Sequence, residues 1–530
     1  MTDILIIGSG GAGLVAAISA KDSGSSVQVI GKSFPTRSQT SMAQGGINAA
    51  MANVGEDSIE AHIADTLKSA QGLALEASVK KLCEEAIASI QWLDRIGLPF
   101  SRTKDSKIAQ RQLGGASGVR ACYAQDYTGL KILHSLYDEA CKKGIDFINE
   151  YFLINLIVED EKVHGAVFLD IKSGELKEIR AKTVILATGG YSQVFRGFST
   201  NSSSSTGDGL AAALRAGAKL SDLEFVQFHP TGLKNSAILI SESARGAGGY
   251  LLNADKERFT KELAPRDVLA RAISEEIEKT GEVYLDIRHL GEGFIDKELP
   301  QERKLAIAYE GVDPVVDLVS IKPVAHYTMG GIDVDENCMS NIEGLYAIGE
   351  GANQKVHGAN RLGGNSLLEL IVFGKLAGEN AAKASKAYAD TQVSSLQLEK
   401  DKENIEEILS YQSNENFYIK RDNLGKAFYT FCGIKRNEVD LSKLLDEVQD
   451  TQNKLSIMGL KDKSKIYNTN LIEYLEFSNI LELSEILLLS AIQRKESRGA
   501  HFREDNQDKY DVAKHSVAYK KDGNLCINFI

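Results

Sequence analysis

The chain opens with an apolar run, Ile4 to Ile7, that breaks into Gly8-Ser9-Gly10-Gly11-Ala12-Gly13 and passes straight into the small, apolar stretch Leu14 to Ala20. A buried strand feeding a helix through G-x-G-x-x-G is the context in which that motif carries information. The first glycine permits a tight turn, the second lets backbone approach a pyrophosphate, and the third lets the helix pack closely. The unpaired N–H groups of the first helical turn then face the phosphates. Gly24 reads as the helix C-cap and Val27 to Ile30 as the next strand, so the chain starts as a βαβ unit. This commits the N-terminal region to a Rossmann-like α/β layer built to hold a dinucleotide.

The acidic residue that commonly meets an NAD ribose after the second strand is absent; Gly31 and Lys32 stand there. Two further strand-to-glycine junctions, ILATGG (185–190) and GLYAIGE (344–350), lie far downstream. A ligand met from such separated segments is long, which fits FAD better than NAD. Between the two junctions the texture changes to short strands, loops and helices, then returns to the strand–glycine pattern. The expected organisation is an FAD-binding domain in two segments, 1–218 and 333–394, with an α+β capping domain inserted at 219–332. A helical domain at 395–500 and a polar tail at 501–530 follow, with the linker placed at 390–400.

Composition narrows the partners. A net charge of −12 argues against nucleic acid or an anionic membrane surface as direct partner. The six cysteines form no C-x-x-C pair, which speaks against zinc or an iron–sulfur cluster held by this chain alone and for a reduced compartment. No apolar run approaches the roughly 18 residues of a membrane span. No signal-like segment precedes the first strand, so a cytoplasmic location is expected.

Three clusters place His or Arg beside glycines: EFVQFHPTG (224–232); SESARGAGG (241–249) with LAPRDVLARA (263–272); and AHYTMGG (325–331) with HGANRLGGNSLLEL (357–370). Singly they are bland. His229 or His326 alone reads as a hydrogen-bonded core histidine, Arg266 as a surface arginine at a helix start, Arg361 as the partner of some carboxylate. Glu242 and Arg245 alone read as an intrahelical pair. Together with RKESRGAHFRED (494–505), they resemble the flavoprotein subunits of succinate dehydrogenases and fumarate reductases, with L-aspartate oxidases as a related branch. The resemblance runs from residue 3 to about residue 386 and returns in that last motif.

The resemblance implies a C4 dicarboxylate bound against the flavin, with one carboxylate held by His326 and Arg361. The other is held by His229, Thr231 and backbone N–H near Gly45, under a wall that includes Leu113. Charge-assisted hydrogen bonds of this kind contribute about 1.5–3 kcal/mol each. It further implies that Arg266 gives or takes the proton, relayed by Glu242 and Arg245. A guanidinium is a weak acid with a pKa above about 12, so its neutral form would be fleeting. The FAD contacts implied are Gly8, Gly10, Gly11, Gly13, Lys32, Ser38, Gln39, Thr40, Gln44, Gly45, Gly46, Ala187, Gly189, Asp208, Glu350, Ser366 and Leu367. No metal site is expected.

Three departures carry meaning. Aspartate oxidases have a glutamate before a Gly-Gly pair to face the substrate ammonium, whereas Leu113 stands there; a buried ammonium without a counter-charge is costly. Fumarate–succinate interconversion is therefore expected over L-aspartate oxidation, and over a flavin-binding protein without activity. Leu113 also replaces the phenylalanine usual in the succinate/fumarate branch. Finally, Arg37-Ser38-Gln39-Thr40 stands where respiratory members have RSHT, whose histidine bonds to the flavin. A carboxamide cannot form that link, so FAD should be held without a covalent bond and the catalyst biased towards fumarate reduction. The loop sequences resemble those of methylmenaquinol- and thiol-linked fumarate reductases. That implies an iron–sulfur subunit and a cysteine-rich or membrane-anchoring subunit as partners, with the chain peripheral at the inner membrane through them.

Overall fold

A computed structural model describes residues 2–389 and 396–530. Five strands run parallel in the order Asp146–Asn149, Val27–Gly31, Thr2–Ile7, Leu176–Leu186, Leu345–Ala347. Because they are parallel, their glycine-bearing C-terminal ends open on one edge of the sheet, where such folds bind ligands. The strand Leu176–Leu186 serves two sheets. Its first half pairs antiparallel with Lys162–Asp170, itself in a hairpin with Tyr151–Glu159, and its second half lies in the parallel sheet.

The turn after the first strand is as tight as the motif requires. Gly8 has φ +110°, and a Cβ on Gly13 would lie 1.9 Å from the Gly8 carbonyl oxygen. Gly24 takes φ +84° and caps the helix Gly11–Asp22 by donating to the Lys21 carbonyl at 3.0 Å. That helix lies against Asn365–Ala387 with backbones nearly touching. A Cβ on Gly374 would stand 3.0 Å from the Ala12 oxygen, and one on Gly378 2.5 Å from the Ala16 oxygen. The small residues of both helices are what this approach demands.

Between the two flavin segments, Val226–Leu233, Val319–Thr328, Val283–Asp286 and Tyr250–Asn253 form an antiparallel sheet covered by the helix Arg266–Thr280. The pairing of Val226–Leu233 with Val319–Thr328 slips between His229 and Gly232, which sets His229 at a local irregularity. The chain enters and leaves this region through two short strands, Leu220–Ser221 and Gly331–Asp333, paired antiparallel. The polar stretch 501–530 closes on the same place: Ser516–Lys521 and Asn524–Phe529 form a hairpin whose first strand pairs with Leu220–Ser221. Its turn is Asp522-Gly523, both at positive φ, the geometry that matches strand twist in two-residue turns.

Helix Leu396–Ser410 packs against the 151–170 hairpin, and Phe417–Phe431, Glu438–Asn453 and Thr469–Gln493 join it in one apolar core shared with that hairpin. The expected linker at 390–400 falls in its first half on residues 390–395, outside the described residues. No helix among the described residues is long and apolar enough to cross a membrane. The close helix contact yields a test. Gly378→Val should force apart Gly11–Asp22 and Asn365–Ala387 and destabilise the protein by about 1–3 kcal/mol, seen as a lower melting temperature and lost flavin in the purified protein. An unchanged melting temperature would argue against the contact.

Candidate active site

One cavity runs along the C-terminal edge of the parallel sheet and under the inserted region. At its sheet end, Gly8, Gly10 and Gly11 form one wall, and Ser38 with the 3-10 turn Gln39–Met42 forms another. Thr40 Oγ1 accepts the Gly11 N–H at 3.2 Å and so joins the turn to the phosphate-binding motif. Several polar atoms along the cavity are buried without a protein partner: Ser38 Oγ, both ends of the Gln44 amide, Thr188 Oγ1 and Asn201 Nδ2. Buried polar groups are almost always paired, so such a row belongs to a polar ligand. The glycine turn and these donors and acceptors fit FAD.

Gln39 is fixed in this wall by both ends of its amide. Its oxygen accepts the Ser202 N–H at 2.6 Å, and its nitrogen donates to Asn201 Oδ1 at 3.3 Å. At the far end Lys32 Nζ lies 2.6 Å from both Asp208 Oδ2 and Glu476 Oε1 and donates to Thr206 at 2.8 Å. Burial alone would lower the Lys32 ammonium, but the two carboxylates outweigh it and hold its pKa above the ordinary value. Glu350 accepts the Thr328 N–H at 3.0 Å, and burial pushes its carboxyl up to about 7.

Beneath the inserted region the cavity turns basic. His229 and His326 stand edge to face with ring centroids 4.9 Å apart. His229 Nδ1 accepts the Thr231 N–H at 3.2 Å, which puts its proton on Nε2. His326 Nδ1 lies 2.8 Å from Thr200 Oγ1. Burial, then the neighbouring cationic groups, pushes both imidazoles well below their usual pKa, so both are neutral. Arg361 is 2% exposed, and none of the described residues offers it a carboxylate at ion-pair distance. Its guanidinium lies 4.2 Å from the centre of the Tyr327 ring, and its Nε has no partner. Burial first, and Arg266 next, lower its pKa to about 10. A buried arginine with open donors is a receptor for an anion.

Arg266 begins its helix behind Pro265 and spans two partners. Nη2 and Nε donate to Glu242 Oε2 at 2.8 and 3.2 Å, and Nη1 donates to Gln227 Oε1 at 3.0 Å. Glu242 and Arg245 share the short helix Glu242–Gly246, with Arg245 Nη2 3.9 Å from Glu242 Oε1. The same oxygen accepts the Gly114 N–H at 2.5 Å. Burial would raise Glu242, but Arg266 and Arg245 hold it below its usual pKa, ionised. Two glycines make room: a Cβ on Gly114 would stand 2.3 Å from Glu242 Oε1, and one on Gly363 2.8 Å from Oε2. Leu113 packs over Gly45, within 3.8 Å of where a Cβ would sit.

Of the residues read from sequence, Gly45, Leu113, His229, Glu242, Arg266, His326 and Arg361 line the cavity. So do Gly8, Gly10, Gly11, Lys32, Ser38, Gln39, Thr40, Gln44, Gly46, Ala187, Gly189, Asp208, Glu350, Ser366 and Leu367. Gly13, Thr231 and Arg245 lie behind it. Gly13 serves the strand–helix packing, Thr231 donates its hydroxyl to the Ile240 carbonyl at 2.7 Å, and Arg245 backs Glu242. Sequence reading missed Gln227, Asn201, Tyr327 and Glu476. Gln227 and Tyr327 sit inside quoted motifs beside His229 and His326, a signal that was available. Glu476 sits in a charged helix with nothing to mark it.

The chain matches two family profiles, "FAD binding domain" over residues 3–367 and "Fumarate reductase flavoprotein C-term" over residues 421–529. It is 42% identical to the 8-methylmenaquinol:fumarate reductase flavoprotein subunit of Wolinella succinogenes, over 97% of this chain and 88% of that one. It is 39% identical to the succinate dehydrogenase flavoprotein subunit of Rickettsia bellii, over 96% and 91%. A solved chain of E. coli quinol fumarate reductase superposes with a TM-score of 0.95 at 36% identity, over 100% of this chain and 96% of that one. With a flavin cradle opening onto a pocket of two histidines and two arginines, the chain belongs to the family of fumarate reductase and succinate dehydrogenase flavoprotein subunits, FAD-dependent oxidoreductases.

Proposed function

We propose that the protein reduces fumarate to succinate as the catalytic subunit of a respiratory complex. The observation that carries the reading is the chain Arg266–Glu242–Arg245, reaching from the cavity inwards beside His229, His326 and Arg361. Arg361 and His326 would take one substrate carboxylate. His229 Nε2 and backbone N–H at Gly45 would take the other, with Thr231 fixing the His229 tautomer. Drawing charge onto one carboxylate makes the double bond a better hydride acceptor. Bound reduced FAD supplies that hydride, to one central carbon. Arg266 then gives a proton to the other carbon and is reprotonated through Glu242, 2.8 Å from its Nη2. Glu242 takes up a proton from the Arg245 side as it passes one on, and ends ionised as it began. Arg245 keeps Glu242 ionised and continues the path inwards. One hydride and one proton convert the alkene to the alkane, with no other group consumed.

Gln39 supports FAD held without a covalent link, since both ends of its amide are spent on residues 201 and 202. The absence of an electron-withdrawing ring bond favours giving electrons to fumarate over taking them from succinate. The relatives are subunits of larger enzymes, which supports an iron–sulfur partner and a cysteine-rich or membrane-anchoring one, with the chain cytoplasmic and peripheral through them. The domain partition 1–218, 219–332, 333–394, 395–500 and 501–530 is proposed on the same basis. Leu113 supports an unaminated substrate over L-aspartate, because the hydrocarbon over Gly45 offers an ammonium nothing.

Three outcomes are expected. Arg266→Lys and Arg266→Ala should lower fumarate reduction by about 10²–10⁴-fold while the flavin absorbance of the purified protein stays; turnover close to wild type would remove Arg266 from proton delivery. Precipitating the protein with acid should leave the yellow colour in the supernatant, whereas a coloured pellet means a covalent bond. With reduced viologen as donor, fumarate reduction should outpace succinate oxidation measured with an artificial acceptor; the reverse order would overturn the proposed direction.

A further inference from the structure

A second buried group of carboxyls lies on the outer side of the Glu242 helix and takes no part in the reaction derived above. Glu302 is the third residue of the helix Pro300–Glu310 and is 1% exposed. Its Oε1 and Oε2 accept the Ser241 N–H at 3.1 and 3.2 Å, and Ser243 Oγ donates to Oε1 at 3.3 Å. Ser241 and Ser243 are the immediate neighbours of Glu242. Glu302 therefore holds the backbone just before Glu242 and the side chain just after it.

The other end of this grip reaches the flavin-binding region. Asp126 Oδ2 accepts the Gln301 and Glu302 N–H groups at 2.6 and 3.1 Å, capping the helix that carries Glu302. Asp126 Oδ1 is buried without a partner. Beside Asp126, the Gln125 carbonyl accepts from Arg111 Nη2 at 2.5 Å. Arg111 also holds the Gly45 and Gln44 carbonyls at 2.8 and 3.1 Å. An unbroken series of contacts thus joins the Gly45 wall of the pocket to the Glu242 wall. We infer that Glu302 is a positioning residue for the reaction, holding the Glu242–Arg245 helix in register with the Gly45 loop across the Asp126 contact.

The chemistry of the site makes the grip sensitive to pH. Burial, with the Asp126 charge second, raises Glu302 to about 8, and burial raises Asp126 to about 6. The charged and titratable groups facing them are Arg111, which offsets the negative charge, and Tyr127, while Tyr123 and Glu298 interact with Arg111. A carboxyl raised in the folded protein stabilises it fully below its ordinary pKa, and that contribution is lost as pH rises through the folded value. Neutral Glu302 fits the dry site. Its ionised form sets a second negative charge beside Asp126, and the contact must then separate or admit water, shifting the Glu242 helix.

This inference rests on the relay reading, and the test keeps the two apart. Fumarate reduction by FAD-loaded wild type, Glu302→Gln, Glu302→Leu and Arg266→Lys is followed with reduced viologen from about pH 6 to about pH 9. The wild-type rate should fall on the alkaline side with a midpoint near 8. Glu302→Gln, which keeps the neutral shape, should match wild type at neutral pH and lose that decline. Glu302→Leu should lower kcat about tenfold with little change in KM, and hydrogen exchange without substrate should show faster exchange in residues 241–247. A Glu302→Gln profile that superimposes on wild type, or a Glu302→Leu enzyme with unchanged kcat, overturns the inference. Full activity of Arg266→Lys would overturn the relay alone, leaving the exchange result to judge the grip.

Discussion

A guanidinium facing a carboxylate at 2.8 Å, both buried, is the contact that organises this molecule. Arg266 and Glu242 both come from the inserted region, yet the space they occupy is made by residues outside it. Gly114 and Gly363 leave room for the carboxylate, and the Gly114 N–H binds it. Removing one partner of such a pair leaves an uncompensated charge, at a cost of about 3–5 kcal/mol. The inserted region and the flavin layer are thus fitted to each other through a charge pair that neither could bury alone.

Around that pair the pocket separates strength from proton traffic. The two histidines are neutral because burial and neighbouring cations exclude a further positive charge. They hydrogen-bond without trading protons near neutral pH. Arg361 rests on the face of Tyr327 and donates Nη1 to the Leu362 carbonyl at 3.5 Å, and the Tyr327 hydroxyl donates to Glu369 at 2.5 Å. Its open donors await an anion. Of His229, His326, Arg361 and Arg266, only Arg266 has a carboxylate in direct contact, Glu242 at 2.8 Å.

Local rules were enough for much of this. The Gly8–Gly13 turn, the Gly24 cap, and the start of the Arg266 helix behind Pro265 follow from backbone sterics and were readable from a few residues. The pocket was readable only through resemblance, since nothing in the spacing of His229, His326 and Arg361 brings them together; antiparallel pairing and the helix contacts do that. Glu476 and Glu302 stayed hidden for another reason. A lone glutamate on a helix looks solvated, and its burial depends on a partner far away in sequence. The Asp522-Gly523 turn, by contrast, is a signal that alternating Val517, Tyr519, Leu525 and Ile527 support, and a closer reading of that polar stretch exposes the hairpin.

That hairpin has a consequence for the order in which the molecule is made. The two short strands through which the chain enters and leaves the inserted region pair with each other, and Ser516–Lys521 completes their sheet from the far side. During synthesis the inserted region can collapse on its own core well before these residues exist. Its seat above the flavin layer is completed when the hairpin arrives. Loading of the coenzyme can therefore precede final closure, while the outer edge of Leu220–Ser221 is still open.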